Sequence, residues 1–422
     1  MSPPGEEAPG PSPSGAREAI VADMTTRPLS LDGIRVIDLS RVIAGPWCGA
    51  LLGDLGADVI KVEDTGGGDE SRTWPPHKDG EAAAYLLLNR NKRSLTLDLK
   101  APEGVEVVKT LVRGADVLIE NFRTGTMESF GLGYEVLAAI NPRLVYCSVS
   151  AFGRTGPRKD RAGYEALMQA FSGIMSITGE PGGQPVRCGV SFLDLSTGIL
   201  CALGVTNALL YRQRTGLGQR VDGSLLDTAV SLLAYHAEGF LLTGAIPRAL
   251  GSGHPSLSPY RNFKCRDGQW IFIAAANDRF WQRLAKALGL PALAADPRFA
   301  QNQERVANRV ELEALLERTI AQHDREPLLE ILEAADVPAA PVNTVDQVMQ
   351  DTQVVEGGIV ERAAHASLGE IPVVGLPLRF SRLEPGVRRA APLRGEHSDE
   401  ILAECGYSPD QVRALRDKKV IL

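Results

Sequence analysis

Two short runs, Ile34-Arg-Val-Ile-Asp-Leu39 and Asp58-Val-Ile-Lys-Val-Glu63, flank a Gly45-Pro46 turn and an apolar stretch from Trp47 to Leu55 that stops at Gly56. Both runs are rich in β-branched residues, which is a strand signal. Pro46 suits a first helical turn, because the N–H it lacks would have no intrahelical partner there. Gly56 suits a helix stop. The three pieces read as a β–α–β unit, whose parallel strands are expected to join by a right-handed crossover.

Working outward, the pattern repeats. Leu95-Thr-Leu-Asp-Leu99 alternates like a strand. Glu103 to Arg113 reads as a helix, with Val105, Val108, Leu111 and Val112 on one face. Asp116-Val-Leu-Ile-Glu-Asn-Phe122 and Leu144-Val-Tyr-Cys-Ser-Val149 are further strands. Strands alternating with helices predict a doubly wound, Rossmann-like α/β sheet, with ligands off the carboxyl ends of the strands. Gly66–Gly68, Asn121–Arg123 and Phe152–Gly153 fall at such ends. Past Gly163, where a helix opens, Gly216 to Val221 turns into another strand, and Ser224 to Gly239 reads as one long apolar helix.

From about Thr243 the texture changes. A Gly/Ser/Pro loop, Gly251 to Pro259, precedes a hairpin over Phe263–Ala276 with Arg266-Asp-Gly268 as its turn. Helical patterns follow at Asp278–Leu288, Arg309–Ala321 and Arg325–Ala335. Residues 245–335 are therefore expected to form a small inserted α+β domain, with Val337–Pro341 as linker. Residues 30–240 and 340–422 would together make the large domain. Near the end, Leu368-Gly369 reads as a turn between short strands and Tyr407–Arg416 as a last helix. The first 29 residues, with five prolines among the first 13, read as a disordered tail.

Composition narrows the function. The chain has 422 residues and a net charge of −7, which gives no reason to expect a nucleic-acid or anionic-membrane partner. No apolar run reaches the roughly 18–20 residues of a membrane helix. The six cysteines and six histidines are scattered without zinc spacing. No metal site is expected, and reduced thiols point to the cytoplasm.

Three stretches carry candidate chemistry. In Val186-Arg-Cys-Gly-Val-Ser-Phe-Leu-Asp-Leu-Ser-Thr-Gly198, Asp194 sits at an extended-to-helix switch, before an Ala/Leu-rich pattern from Ile199 to Tyr211. It reads either as a helix N-cap or as a carboxylate nucleophile, its charge favoured by the helix end. Gly66-Gly67-Gly68 could present N–H groups to a phosphate, or be a flexible loop. Leu88-Asn-Arg-Asn-Lys-Arg-Ser-Leu95 could clamp phosphates through its cations, or be a solvated loop.

Taken in order, Leu31–Asp38, Gly45-Pro46, Gly53–Glu63, Asn89–Ser94, Glu120-Asn-Phe-Arg123, Asp194-Leu-Ser-Thr-Gly198, Gly216–Val221 and Gly395-Glu-His-Ser398 resemble the class III coenzyme A transferases, the CaiB/BaiF type. The resemblance covers residues 31–422. It implies a large domain made from both chain ends, an inserted small domain, and an interlocked homodimer. It further implies an aspartate nucleophile at Asp194 that passes CoA from an acyl-CoA to a free acid through an aspartyl-CoA thioester. CoA would be substrate and product, with no permanently bound cofactor.

By matching position, Tyr164 and Glu165 stand beside the reacting carbonyl, and Gly251 and Gly253 belong to a glycine loop closing over it. The CoA contacts are Ile43, Ala44, Leu88, Asn89, Arg90, Asn91, Asn121, Phe122 and Arg123. Asp64 and Ser129 stand where formyl-CoA transferases carry arginines, so phosphate charge falls to Arg123 or Arg72. Glu180–Arg187 is similar to members that use succinate and other dicarboxylates, with Arg187 or His254 meeting a distal carboxylate. α-Methylacyl-CoA racemases are the related alternative. They place a histidine where this chain has Tyr164, and a phenol with a reference pKa near 10 is a poor base at neutral pH. A non-catalytic acyl-CoA binding protein, with a purely structural Asp194, is the alternative of another class.

Overall fold

The computed structural model describes residues 28–422; the expected tail lies outside them except for its last two residues. Contacts divide the chain into two compact units. The first comprises residues 28–168, 191–231 and 358–422, and the second 169–190 and 232–357.

The first unit is built on a parallel sheet. Strands β1 (Arg35–Asp38), β2 (Asp58–Glu63), β3 (Lys92–Thr96), β4 (Val117–Glu120), β5 (Val145–Ser150) and β6 (Arg220–Ser224) stand in the order β3-β2-β1-β4-β5-β6. Every neighbouring pair is parallel. The chain is therefore mixed α/β with the doubly wound strand order. Helix α1 (Ala44–Asp54) closes the opening β–α–β unit as expected. Helix α2 (Pro102–Arg113) packs Val107, Val108, Leu111 and Val112 into a core with Ile37, Ile60 and Leu118. One strand shifts: β3 lies at Lys92–Thr96 rather than Leu95–Leu99. Its polar residues mask the strand signal, because Lys92 and Ser94 are buried by pairing inside the protein.

Helix α3 (Glu165–Phe171) is followed by helix α4 (Phe192–Thr215), which runs 24 residues, well beyond the expected Ile199–Tyr211. By length and composition α4 would pass for a membrane span, which corrects the reading that no stretch has that character; half of its apolar window is buried inside the protein. The single helix expected over Ser224–Gly239 is two, Leu225–Leu232 and Ala234–Thr243.

In the second unit the expected hairpin forms, with β7 (Tyr260–Lys264) antiparallel to β8 (Trp270–Ala274). Gly268 in its turn takes φ 81°. Residues read as a linker instead supply a third strand, β9 (Ala339–Pro341), which pairs with β8. Apolar faces of helices α5 (Asp278–Ala287), α6 (Arg309–Ile320) and α7 (Arg325–Ala334) cover this sheet. The boundaries differ from the sequence reading: residues 169–190 and 340–357 group with this unit, and β9 explains the latter. The last part of the first unit forms a hairpin, β10 (Val360–His365) with β11 (Gly369–Val374), and ends in helices α8 (Ser398–Glu404) and α9 (Pro409–Asp417). Ser408 and Gln411 form a capping box on α9.

Candidate active site

Asp194 lies in the first turn of α4, whose N-cap residue is Ser191. It is therefore not the cap; it is the third helical residue, close to the positive end of the helix. Gly198, one turn on, lets α4 approach α1 closely: a Cβ there would stand 2.6 Å from the Ala44 carbonyl oxygen. Asp194 is buried, at 7% exposure. Burial first, and then the charge of Glu165, push its pKa up to about 7. The helix end favours the anion by about 0.3–1 kcal/mol, too little to offset this. Burial and Glu165 thus outweigh the helix end, and the carboxyl is partly protonated at neutral pH.

Asp194 lines a cavity of about 400 Å³ in the first unit, together with Ile43, Ala44, Asn121, Phe122, Arg123, Tyr164 and Glu165. The walls come from segments that follow β1, β2, β4 and β5, the crevice off the carboxyl ends where doubly wound sheets take ligands. Arg41, Arg123, Lys159 and Arg161 line the same cavity. Of these, sequence reasoning named only Arg123. The signal for two others was there, in the charged run Arg158-Lys-Asp-Arg161 just before Tyr164. Arg41 had none beyond its place after β1.

Other site expectations meet a different fate. Leu88, Asn89, Arg90 and Asn91 are all buried. Asn89 accepts from Lys92, Arg90 bonds Asp54 through two nitrogens, and Asn91 bonds Asp54 and Gly386. Asn91 also accepts the backbone N–H groups of Arg388 and Arg389, tying the C-terminal segment to the sheet. The polar side chains of Asn89, Arg90 and Asn91 are thus engaged by partners within the protein. Arg72 is likewise taken: it bonds both oxygens of Glu63 at 2.8 Å and stacks 3.5 Å over the Tyr85 ring. The Gly66 and Gly67 N–H groups donate to Asp64 at 2.7 and 3.3 Å. Asp64 thus occupies donors that a phosphate cradle would need.

Gly251, Gly253, His254 and Arg187 belong to the second unit. Gly251 has φ 61° and donates its N–H to Gly179 at 2.8 Å. A side chain there would press on the Glu180 carboxylate, 2.8 Å away. His254 accepts the Ser256 N–H at 3.1 Å and stands between the rings of Tyr235 and Tyr260. Burial, then Arg309 and His236, lower its pKa, which keeps it neutral near pH 7. Arg187 is exposed. Among the described residues no group of three or more His, Cys, Asp or Glu could hold a metal ion.

Comparison with known proteins extends this geometry. The family model described as CoA-transferase family III matches residues 31–398. The chain is 43% identical over 391 residues to the succinate–glutarate CoA-transferase of Agrobacterium fabrum, covering 91% of this chain and 98% of that one. It is 39% identical over 375 residues to the succinyl-CoA:glutarate CoA-transferase of Homo sapiens, covering 89% and 85% respectively. The crystal structure of a CAIB/BAIF family protein from Brucella suis superposes with a TM-score of 0.81 at 43% identity, over 90% of this chain and all of that one. With a parallel sheet, a buried aspartate at its carboxyl edge and a family match across most of its length, the chain belongs to CoA-transferase family III and is a CoA-transferase.

Proposed function

We propose that this enzyme moves CoA from succinyl-CoA to a free dicarboxylate of glutarate type, with Asp194 as the covalent centre. The observation that carries the mechanism is the setting of Asp194: buried on a cavity wall, with a carboxylate rather than a cation as its charged neighbour. A poorly solvated, unpaired carboxylate is a better nucleophile than one held in an ion pair. The dicarboxylate reading rests on the names of the relatives.

In the first step a carboxylate oxygen of Asp194 attacks the thioester carbonyl. The C–S bond breaks and CoA leaves as thiolate, giving a mixed anhydride. The thiolate then attacks the aspartyl carbonyl, releasing succinate and forming an aspartyl-CoA thioester. The acceptor carboxylate attacks that thioester, and the expelled thiolate attacks the acceptor's own carbonyl, freeing Asp194. No proton or electron is gained or lost overall. Arg41, Arg123, Lys159 and Arg161 meet the phosphates of CoA, replacing the arginines absent at 64 and 129, while Ile43, Ala44 and Phe122 supply apolar wall. Tyr164 and Glu165 border the reacting carbonyl.

We further propose an interlocked homodimer working in the cytoplasm. Ile199, Leu200, Leu203, Leu210 and Tyr211 leave α4 with a large exposed apolar face, of the kind that marks an interface. Light scattering on the purified protein should return twice the chain mass.

A panel of acyl-CoA donors and acid acceptors, read by mass spectrometry, tests the reaction. The expected result is CoA exchange between succinate and C5–C6 dicarboxylates, without loss of α-deuterium from a labelled 2-methylacyl-CoA. Asp194→Ala should lose exchange by at least about a thousandfold while still binding CoA. Near-normal exchange by that variant would overturn the covalent role.

A further inference from the structure

Val42 lies on the cavity wall with φ 74°. That is the left-handed region, which a β-branched residue enters only at a cost. Such strain persists where the surroundings over-determine the backbone, and here they do. The Val42 N–H donates to Asp69 Oδ1 at 3.2 Å. Just before it, the Arg41 N–H donates to Asn121 Oδ1 at 2.8 Å, and Asn121 Nδ2 returns a bond of 2.6 Å to the Arg41 carbonyl. The Arg41 guanidinium then lies 5.0 Å over the Phe122 ring.

Asp69 is held in turn. It is 1% exposed, its Oδ2 accepts from Lys61 Nζ at 2.7 Å, and its Oδ1 accepts from Ser71. Lys61, with no exposed surface, also bonds the Ser40 carbonyl, two residues before Val42. Burial raises the Asp69 pKa, but Lys61 outweighs it and holds the carboxyl at about 2. The acceptor therefore stays ionised over the whole working pH range.

We infer that Asp69, anchored by Lys61, is a positioning residue that locks Val42 in its left-handed conformation. The lock sets Arg41 over Phe122 and turns the start of α1 toward the cavity. Neither residue of the pair lines the cavity, so the lock acts through residues 41–43. The inference rests on the reading that this cavity takes CoA. It makes acyl-CoA affinity, rather than the covalent step at Asp194, depend on a pair that ligand does not touch.

A double-mutant cycle tests it. Asp69→Ala should raise KM for succinyl-CoA about tenfold, since 1.4 kcal/mol of backbone preference is a tenfold change, with kcat within about twofold. Adding Val42→Gly should cancel most of that rise, because glycine takes positive φ without a lock. The expected KM of the double variant lies within about threefold of Val42→Gly alone. If Asp69→Ala raises KM equally in both backgrounds, or lowers kcat instead, the positioning role is overturned. If Asp69→Ala melts early because Lys61 is left buried and unpaired, Lys61→Met with Asp69→Leu takes its place in the cycle. Wild-type protein that exchanged no CoA would break the functional reading, an outcome separable from additivity in the cycle.

Discussion

Two buried carboxylates of the same unit, Asp69 and Asp194, show how neighbours decide what burial does. Both are removed from water, and for both burial raises the pKa. Asp69 faces Lys61 and falls to about 2. Asp194 faces Glu165 and rises to about 7. The paired group is fixed in one charge state and is suited to holding structure. The other sits where small changes in pH or neighbouring charge alter its state, as reactive groups commonly do. Between β3 and β1, fully buried Lys92 bonds Asp38 at 2.8 Å and holds its pKa down, whereas fully buried Arg90 bonds Asp54 without overcoming the burial that raises its pKa. These fold-building charges meet opposite charges, whereas Asp194, on the cavity, faces another carboxylate.

The largest effect on stability should follow from unmatching a structural pair. Arg90→Ala would strand Asp54 in the interior and also free Leu87, whose carbonyl Arg90 holds at 2.8 Å. Breaking a buried pair from one side costs about 3–5 kcal/mol, to be read from urea unfolding. Arg90→Met with Asp54→Leu should lose much less, since no buried charge remains. Equal losses would mean the pair contributes through shape alone.

The reverse change applies to Asp194. Its folded pKa is raised, so the native state holds a proton that the unfolded state releases between pH 4 and about 7. Stability contributed by the protonated group is therefore lost as pH rises through that window. Asp194→Asn cannot ionise and should be more stable than wild type at pH 8 by on the order of 1–3 kcal/mol. The gain should shrink to about 0.5 kcal/mol or less at pH 4, where Asp194 is neutral in the folded state and about half ionised in the unfolded one. Thermal melts at the two pH values decide it; a gain of equal size at both would remove burial of the anion as its cause.

Activity should follow the same group. Attack needs the carboxylate, so kcat/KM should fall as pH drops below about 7. Glu165→Gln removes the second cause of the shift, so the acid limb should move to lower pH. An unmoved limb would assign it to another group.

Much of this was legible in the sequence, and the failures have one physical origin. The β–α–β opening, the Arg266–Gly268 hairpin and the helix begun by Ser408 are local, set by apolar spacing and by turn and cap residues. Arg90 and Asn91 draw on partners remote in sequence: Asp54 lies 36 residues from Arg90, and Gly386 lies 295 residues from Asn91. A cationic, amide-rich run looks the same whether it faces water, phosphate or Asp54. The Asp194 pattern was readable, but its pKa was not, because Glu165 reaches it only through the fold. The lock on Val42 left no trace, since nothing in Arg-Val-Ile announces a positive φ.

The smallest effect should come from a charge pair in water. Arg362 on β10 meets Glu370 on β11 at 3.2 Å, with both side chains about two-thirds exposed, at 68% and 65%. Holding two long side chains together there costs entropy, and solvent screens the attraction, so such pairs contribute about 0–1 kcal/mol. Arg362→Ala should shift the urea midpoint barely beyond error, and less still in high salt. It has the same chemistry as the Arg90–Asp54 pair and differs in solvent, so the ratio of the two losses measures how far burial, rather than charge pairing itself, governs this fold. A loss near that of Arg90→Ala would break the comparison, because exposed and buried pairs would then count alike.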